Sequence, residues 1–153
     1  MNSRTIKRIL KVNHGGEYGA SRIYAGQIFV ARYRCPDLVS DLEELRSHEM
    51  EHEARFRSLM PLREARPCRL MWLWGLGGMG LGLMTGILGR VGVFVCTEAV
   101  ERTVHKHLSE QLEWLDGQDV ELETVIAEIQ AQEVGHLAWA TARRGKKSTF
   151  SSV

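Results

Sequence analysis

Two short stretches, Glu49-Met50-Glu51-His52 and Glu133-Val134-Gly135-His136, each set an acid and an imidazole three residues apart. On an α-helix that spacing puts both groups on one face, about one turn apart. Each stretch follows another acid at the same distance: the separation from Glu17 to Glu49 equals that from Glu101 to Glu133. One common offset therefore carries Glu17, Glu49 and His52 onto Glu101, Glu133 and His136. Such a chain is constrained to form two helix pairs, each aiming one Glu and one Glu-x-x-His inward.

The surrounding hydrophobic spacing agrees. Ile6, Leu10, Asn13, Glu17, Ala20, Tyr24 and Ile28 step by three or four, which predicts a first helix over about 4–33. Cys35-Pro36-Asp37 breaks it, because proline disfavours helical geometry in the residue before it. A second helix to about Met60 carries the stripe Leu38, Leu42, Leu45, Glu49, His52, Phe56, Leu59. Another, from Val91 to about Leu115, carries Phe94, Thr97, Glu101, Val104, Leu108, Leu112 and Leu115. The last, from about Val120 to Arg143, carries Leu122, Ile126, Ile129, Glu133, His136 and Ala140. Acids and histidines thus occupy positions where the pattern calls for core residues. Burying an unpaired carboxylate is costly, and a metal ion compensates it.

Four carboxylates in one core repel one another. Two divalent cations balance that charge, with the imidazoles as neutral ligands. One Glu plus one Glu-x-x-His per helix pair is the ligand set of ferritin-like two-metal carboxylate bundles. The expected fold is therefore all-α: a ferritin-like four-helix bundle in a single domain over 1–153. By analogy Glu49 and Glu133 bridge the ions, while Glu17 and Glu101 are terminal. Mixed nitrogen and oxygen ligation suits two iron ions (Fe2+) that must react with oxygen, and manganese suits the same donors. A competing motif overlaps: His48-Glu49-Met50-Glu51-His52 is a literal H-E-x-x-H, the signature of zinc hydrolases. That reading leaves Glu17, Glu101, Glu133 and His136 unexplained, and the echo has Gln132 where His48 stands.

Between the pairs, residues 70–88 carry no charge and six glycines, with Gly78, Gly82 and Gly86 spaced by four as a ridge for close helix packing. Three readings are open for this extra Gly-rich apolar helix: a helix dipping into a membrane interface, a buried helix of a soluble bundle, or a span. Trp72 and Trp74 at one end suit an interface. Arg4, Lys7, Arg8 and Lys11 form a basic face that is either solvated or a contact for anionic lipid. The basic stretch from Arg143 to Thr149 reads as a tail that frays over about 144–153.

A net charge of +1 gives no electrostatic reason to expect nucleic acid as a partner. Cys35, Cys68 and Cys96 form no C-x-x-C, which fits a reducing compartment, and the N-terminus has no apolar signal core.

The stretch Val12-Asn13-His14-Gly15-Gly16-Glu17-Tyr18-Gly19-Ala20, followed by Arg22-Ile23-Tyr24-Ala25-Gly26-Gln27, closely resembles the first-helix motif of the demethoxyubiquinone hydroxylases of ubiquinone biosynthesis. Glu49-x-x-His52, the Gly-rich segment, Cys96-Thr97-Glu98-Ala99-Val100-Glu101 and Glu133-x-x-His136 follow in that family's order, over roughly residues 4–140. The resemblance implies a di-iron monooxygenase that hydroxylates 5-demethoxyubiquinol to 3-demethylubiquinol with O2. It implies the ligands Glu17, Glu49, His52, Glu101, Glu133 and His136, with His107 matching a histidine commonly found beside the site. It also implies a peripheral place on the cytoplasmic or mitochondrial-matrix side of the inner membrane, and a homo-oligomer or a complex with other ubiquinone-biosynthesis proteins. Relatives commonly continue into a further helix; here a short and mostly polar stretch follows His136, so docking is expected to fall to the basic face and the Trp-bearing segment. The alternatives are a ferroxidase or rubrerythrin-like oxidase, and a non-catalytic membrane-associated helical module. A rubrerythrin-like protein usually carries a C-x-x-C iron module, which this chain lacks.

Overall fold

A computed structural model describes residues 3–145. Helices are the only regular elements among them, so the fold is all-α: α1 (Ser3–Arg34), α2 (Val39–Leu59), α3 (Met71–Ile87), α4 (Gly89–Leu115) and α5 (Val120–Gly145). Short 3-10 turns at Pro36–Leu38 and Pro61–Arg63 mark the proline breaks. The chain divides into two compact units, Met1–Ile87 and Leu88–Val153.

In the first unit α1 packs on α2 and, along another face, on α3. Every residue of the two expected stripes on α1 and α2 is buried, Glu17, Glu49 and His52 included. The α1–α3 seam depends on glycine. A Cβ on Gly82 would strike the carbonyl of Ile23, one on Gly78 the carbonyl of Gly19, and one on Gly26 would come 2.7 Å from the Met79 carbonyl. Gln27 is buried in this seam and donates from Nε2 to Thr85 Oγ1 at 3.1 Å. Lys7 Nζ, 2.9 Å from Glu64 Oε2, ties α1 to the loop after α2.

Only the three glycines of α3 are buried. The rest of the helix exposes Trp72, Leu73, Leu76, Leu81, Met84 and Ile87, and Trp74 is half exposed with its ring beside Gly15 of α1. The helix is therefore neither buried all round nor a span: no helix among the described residues is long and apolar enough to cross a membrane. Its 17 residues reach about 26 Å at 1.5 Å each, short of a hydrocarbon core of about 30 Å.

In the second unit α4 and α5 form a helix pair joined by a tight turn at Asp116 and Gly117, both with positive φ. Asp119 ends the turn and caps α5, its Oδ1 accepting from Leu122 N at 3.1 Å. Asp119→Ala is expected to lower stability by about 1 kcal/mol, measured by denaturant unfolding. Phe94 and Trp139 meet edge to face, with ring centroids 5.3 Å apart. The end of α5 runs past the expected boundary. Arg144 is still helical, its Nη1 2.9 Å from Oε2 of buried Glu98, and Arg102 holds the other oxygen of that carboxylate. The remainder of the expected tail, 146–153, lies outside the described residues.

Candidate metal centre

Each unit gathers two carboxylates and one imidazole into one buried cluster. In the first, α1 supplies Glu17 and α2 supplies Glu49 and His52. His52 Nδ1 stands 3.8 Å from Glu17 Oε2 and 3.9 Å from Glu49 Oε2. In the second, α4 supplies Glu101 and α5 supplies Glu133 and His136. His136 Nδ1 stands 2.9 Å from Glu133 Oε2 and 3.7 Å from Glu101 Oε1. Within each trio one ligand atom per residue lies within 4.8 Å of the others. Donors bonded to a common ion at about 2.0–2.2 Å are separated by about 3–4 Å, so both trios fit a divalent cation.

The electrostatics point the same way. Burial, more than any other cause, pushes the Glu101 carboxyl up to about 8; the neighbouring His136 opposes the rise, and the neighbouring Glu133 adds to it. An acid this reluctant to ionise is one that a cation would relieve. In metal-free protein, between the ordinary value of 4.5 and about 8, folded Glu101 keeps a proton that the unfolded chain has lost. Stability is complete below that window and falls as pH rises through it. Thermal unfolding of metal-free protein is expected to show a loss on the order of a few kcal/mol between pH 5 and 8, and Glu101→Gln is expected to flatten the slope.

The six expected ligands thus fall into two trios, one in each unit. The other two histidines singled out by motif do not join them. His107, six residues beyond Glu101, sits off the inward stripe; its side chain is 59% exposed and its Nδ1 lies 3.7 Å from Glu110 Oε2. His48 of the H-E-x-x-H stretch belongs to no cluster of three or more candidate donors among the described residues.

One buried polar pair escaped the motif reading. His14, three residues before Glu17, has its Nε2 3.4 Å from Oε1 of Glu53 on α2. Burial, reinforced by Arg57, lowers the His14 pKa, so the imidazole is neutral near pH 7. Burial raises that of Glu53, against the pull of Arg57 and Arg22 and with a push from Glu17. The available signal was position: residues three apart share a helix face, so His14 had to lie beside Glu17.

A family model described as ubiquinone biosynthesis protein COQ7 matches residues 4–153. The chain belongs to the COQ7 family. Relatives from three organisms agree with the family resemblance. The NADPH-dependent 3-demethoxyubiquinone 3-hydroxylase, mitochondrial, of Mus musculus is 36% identical, over 89% of this chain and 64% of that protein. The 3-demethoxyubiquinol 3-hydroxylase of Rhodospirillum rubrum is 35% identical, over 86% of this chain and 61% of its own length. The 5-demethoxyubiquinone hydroxylase, mitochondrial, of Saccharomyces cerevisiae is 36% identical, over 74% and 48%. The chain therefore spans less than two thirds of the length of these COQ7 relatives. Among the described residues, the two trios belong to the buried groups that could hold a metal ion.

Proposed function

We propose that the chain is a di-iron monooxygenase of ubiquinone biosynthesis, hydroxylating 5-demethoxyubiquinol to 3-demethylubiquinol with O2. The observation that carries this reading is the pairing of two buried Glu-Glu-His trios, one per helix pair, in a COQ7-family chain. In it the two pairs assemble as one four-helix, ferritin-like domain over 1–153, and Glu17, Glu49, His52, Glu101, Glu133 and His136 together hold two ions. Iron there supplies oxygen activation for insertion of one atom into the ring. The chain's own residues bind the ions, balance their charge and keep the ligand cluster dry, since all six are buried. The names of several relatives carry NADPH dependence, which supports a nicotinamide as the source of the two electrons per turnover.

The exposed apolar side of α3 supports docking on a membrane surface, where an isoprenoid quinone resides. A place on the inner membrane, on its cytoplasmic or matrix side, and assembly with further copies or with other ubiquinone-biosynthesis proteins, belong to the same proposal.

The test supplies Fe(II)-loaded protein with demethoxyquinol, O2 and reductant. Mass analysis is expected to show a quinone heavier by one oxygen atom. Oxidation of excess Fe(II) with the quinol unchanged would instead identify a ferroxidase.

A further inference from the structure

We propose that His14 and Glu53 form a loading site for a divalent cation, one helical turn outside the Glu17–Glu49–His52 trio. The proposal rests on the reading of that trio as metal ligands. His14 precedes Glu17 by three residues, and Glu53 follows Glu49 by four. Moving back along α1 and forward along α2 reaches the next layer of the same helix pair, because the two run antiparallel. A second imidazole and carboxylate therefore lie directly beside the first set.

Three observations make this pair a cation site rather than a buried hydrogen bond. His14 is only 2% exposed, yet among the described residues neither ring nitrogen has a hydrogen-bond partner. The 3.4 Å from its Nε2 to Glu53 Oε1 is long for a hydrogen bond but suits two donors about 2.1 Å from one ion. The Glu53 side chain is 21% exposed whereas Glu17, Glu49 and His52 are buried, so it can meet a hydrated ion arriving from solvent. Two protein donors leave the remaining coordination positions to water. Arg22 and Arg57 also act on Glu53, which keeps the hold on a cation weak, as transfer inward requires. The internal repeat does not extend to this pair. The offset that relates the two trios carries His14 onto Glu98 and Glu53 onto Leu137, and Glu98 is taken by Arg102 and Arg144. The loading site is thus peculiar to the first helix pair.

The test follows Co2+ uptake by the full chain through its d–d absorption in a stopped-flow mixer. Glu53→Gln and His14→Gln are each expected to slow the rise of the band by about tenfold or more, the scale at which groups adjoining a metal site act. Final amplitude and band shape are expected to match the unaltered chain. Glu64→Gln, which removes an exposed carboxylate elsewhere in the unit, is expected to load at the normal rate. Unchanged rates in Glu53→Gln overturn the proposal. So does an altered final spectrum, which would place Glu53 in the centre itself. His14→Gln alters a buried position, so partly exposed Glu53 keeps the test decisive if that variant misfolds. Should the unaltered chain take up no Co2+, or should Glu17→Gln bind as much as it does, the reading of the centre fails first and this one with it.

Discussion

Glu101→Ala is expected to abolish the proposed ring hydroxylation, with product formation falling by about 10³-fold or more, equivalent to some 4 kcal/mol of barrier. The reason is local. Glu101 is one of three candidate donors in the α4–α5 trio, its Oε1 3.7 Å from His136 Nδ1. Losing it removes a carboxylate from the cluster proposed to hold a cation. Glu101→Gln separates that role from packing. It keeps the volume and relieves the acid–acid repulsion, so metal-free Glu101→Gln should unfold no earlier than the unaltered chain above neutral pH while remaining inactive. Mass analysis of the quinone and a thermal melt on the same preparation check both halves. Retained hydroxylation in either variant would remove Glu101 from the proposed centre.

Gly82→Ala is expected to destabilise the protein by about 3 kcal/mol, the upper end for forcing a methyl group into a packed interface. The new Cβ would meet the carbonyl and backbone of Ile23, which cannot turn aside as a flexible side chain can. Relief requires α3 to move off α1, which breaks the Gln27–Thr85 hydrogen bond and opens the Gly78 and Gly26 contacts together. Gly80→Ala, on the same helix with nothing within 4 Å of its Cβ, provides the control and is expected to be neutral or slightly stabilising through helix propensity. Denaturant unfolding distinguishes the two. Equal effects would mean that the glycine ridge is not what joins these helices.

Much of the architecture was legible in the periodicity. The inward stripes on α1, α2 and α5 are all buried, and on α4 only Val104 and Leu112 are part-exposed. Both breaks fall at prolines, and the apolar helix stops one residue inside the expected limits at each end. Acids and histidines inside those stripes identified the candidate ligands, because a polar group at a core position needs a partner. His107 was less legible. Its position six residues past Glu101 puts it off the inward face, and similarity of motif carries no information on which way a side chain points.

What the sequence by itself determined is the helices, their inward faces and the six acids and imidazoles on them. All of these follow from a 3.6-residue repeat and from the expense of burying charge. Tertiary structure alone decided that α3 turns its buried glycines to α1 and Trp72 outward, that His14 meets Glu53, and that Arg144 reaches Glu98. These pairings join residues tens of positions apart. They depend on how closely two helices approach and in what register, and no local pattern along one stretch of chain specifies either.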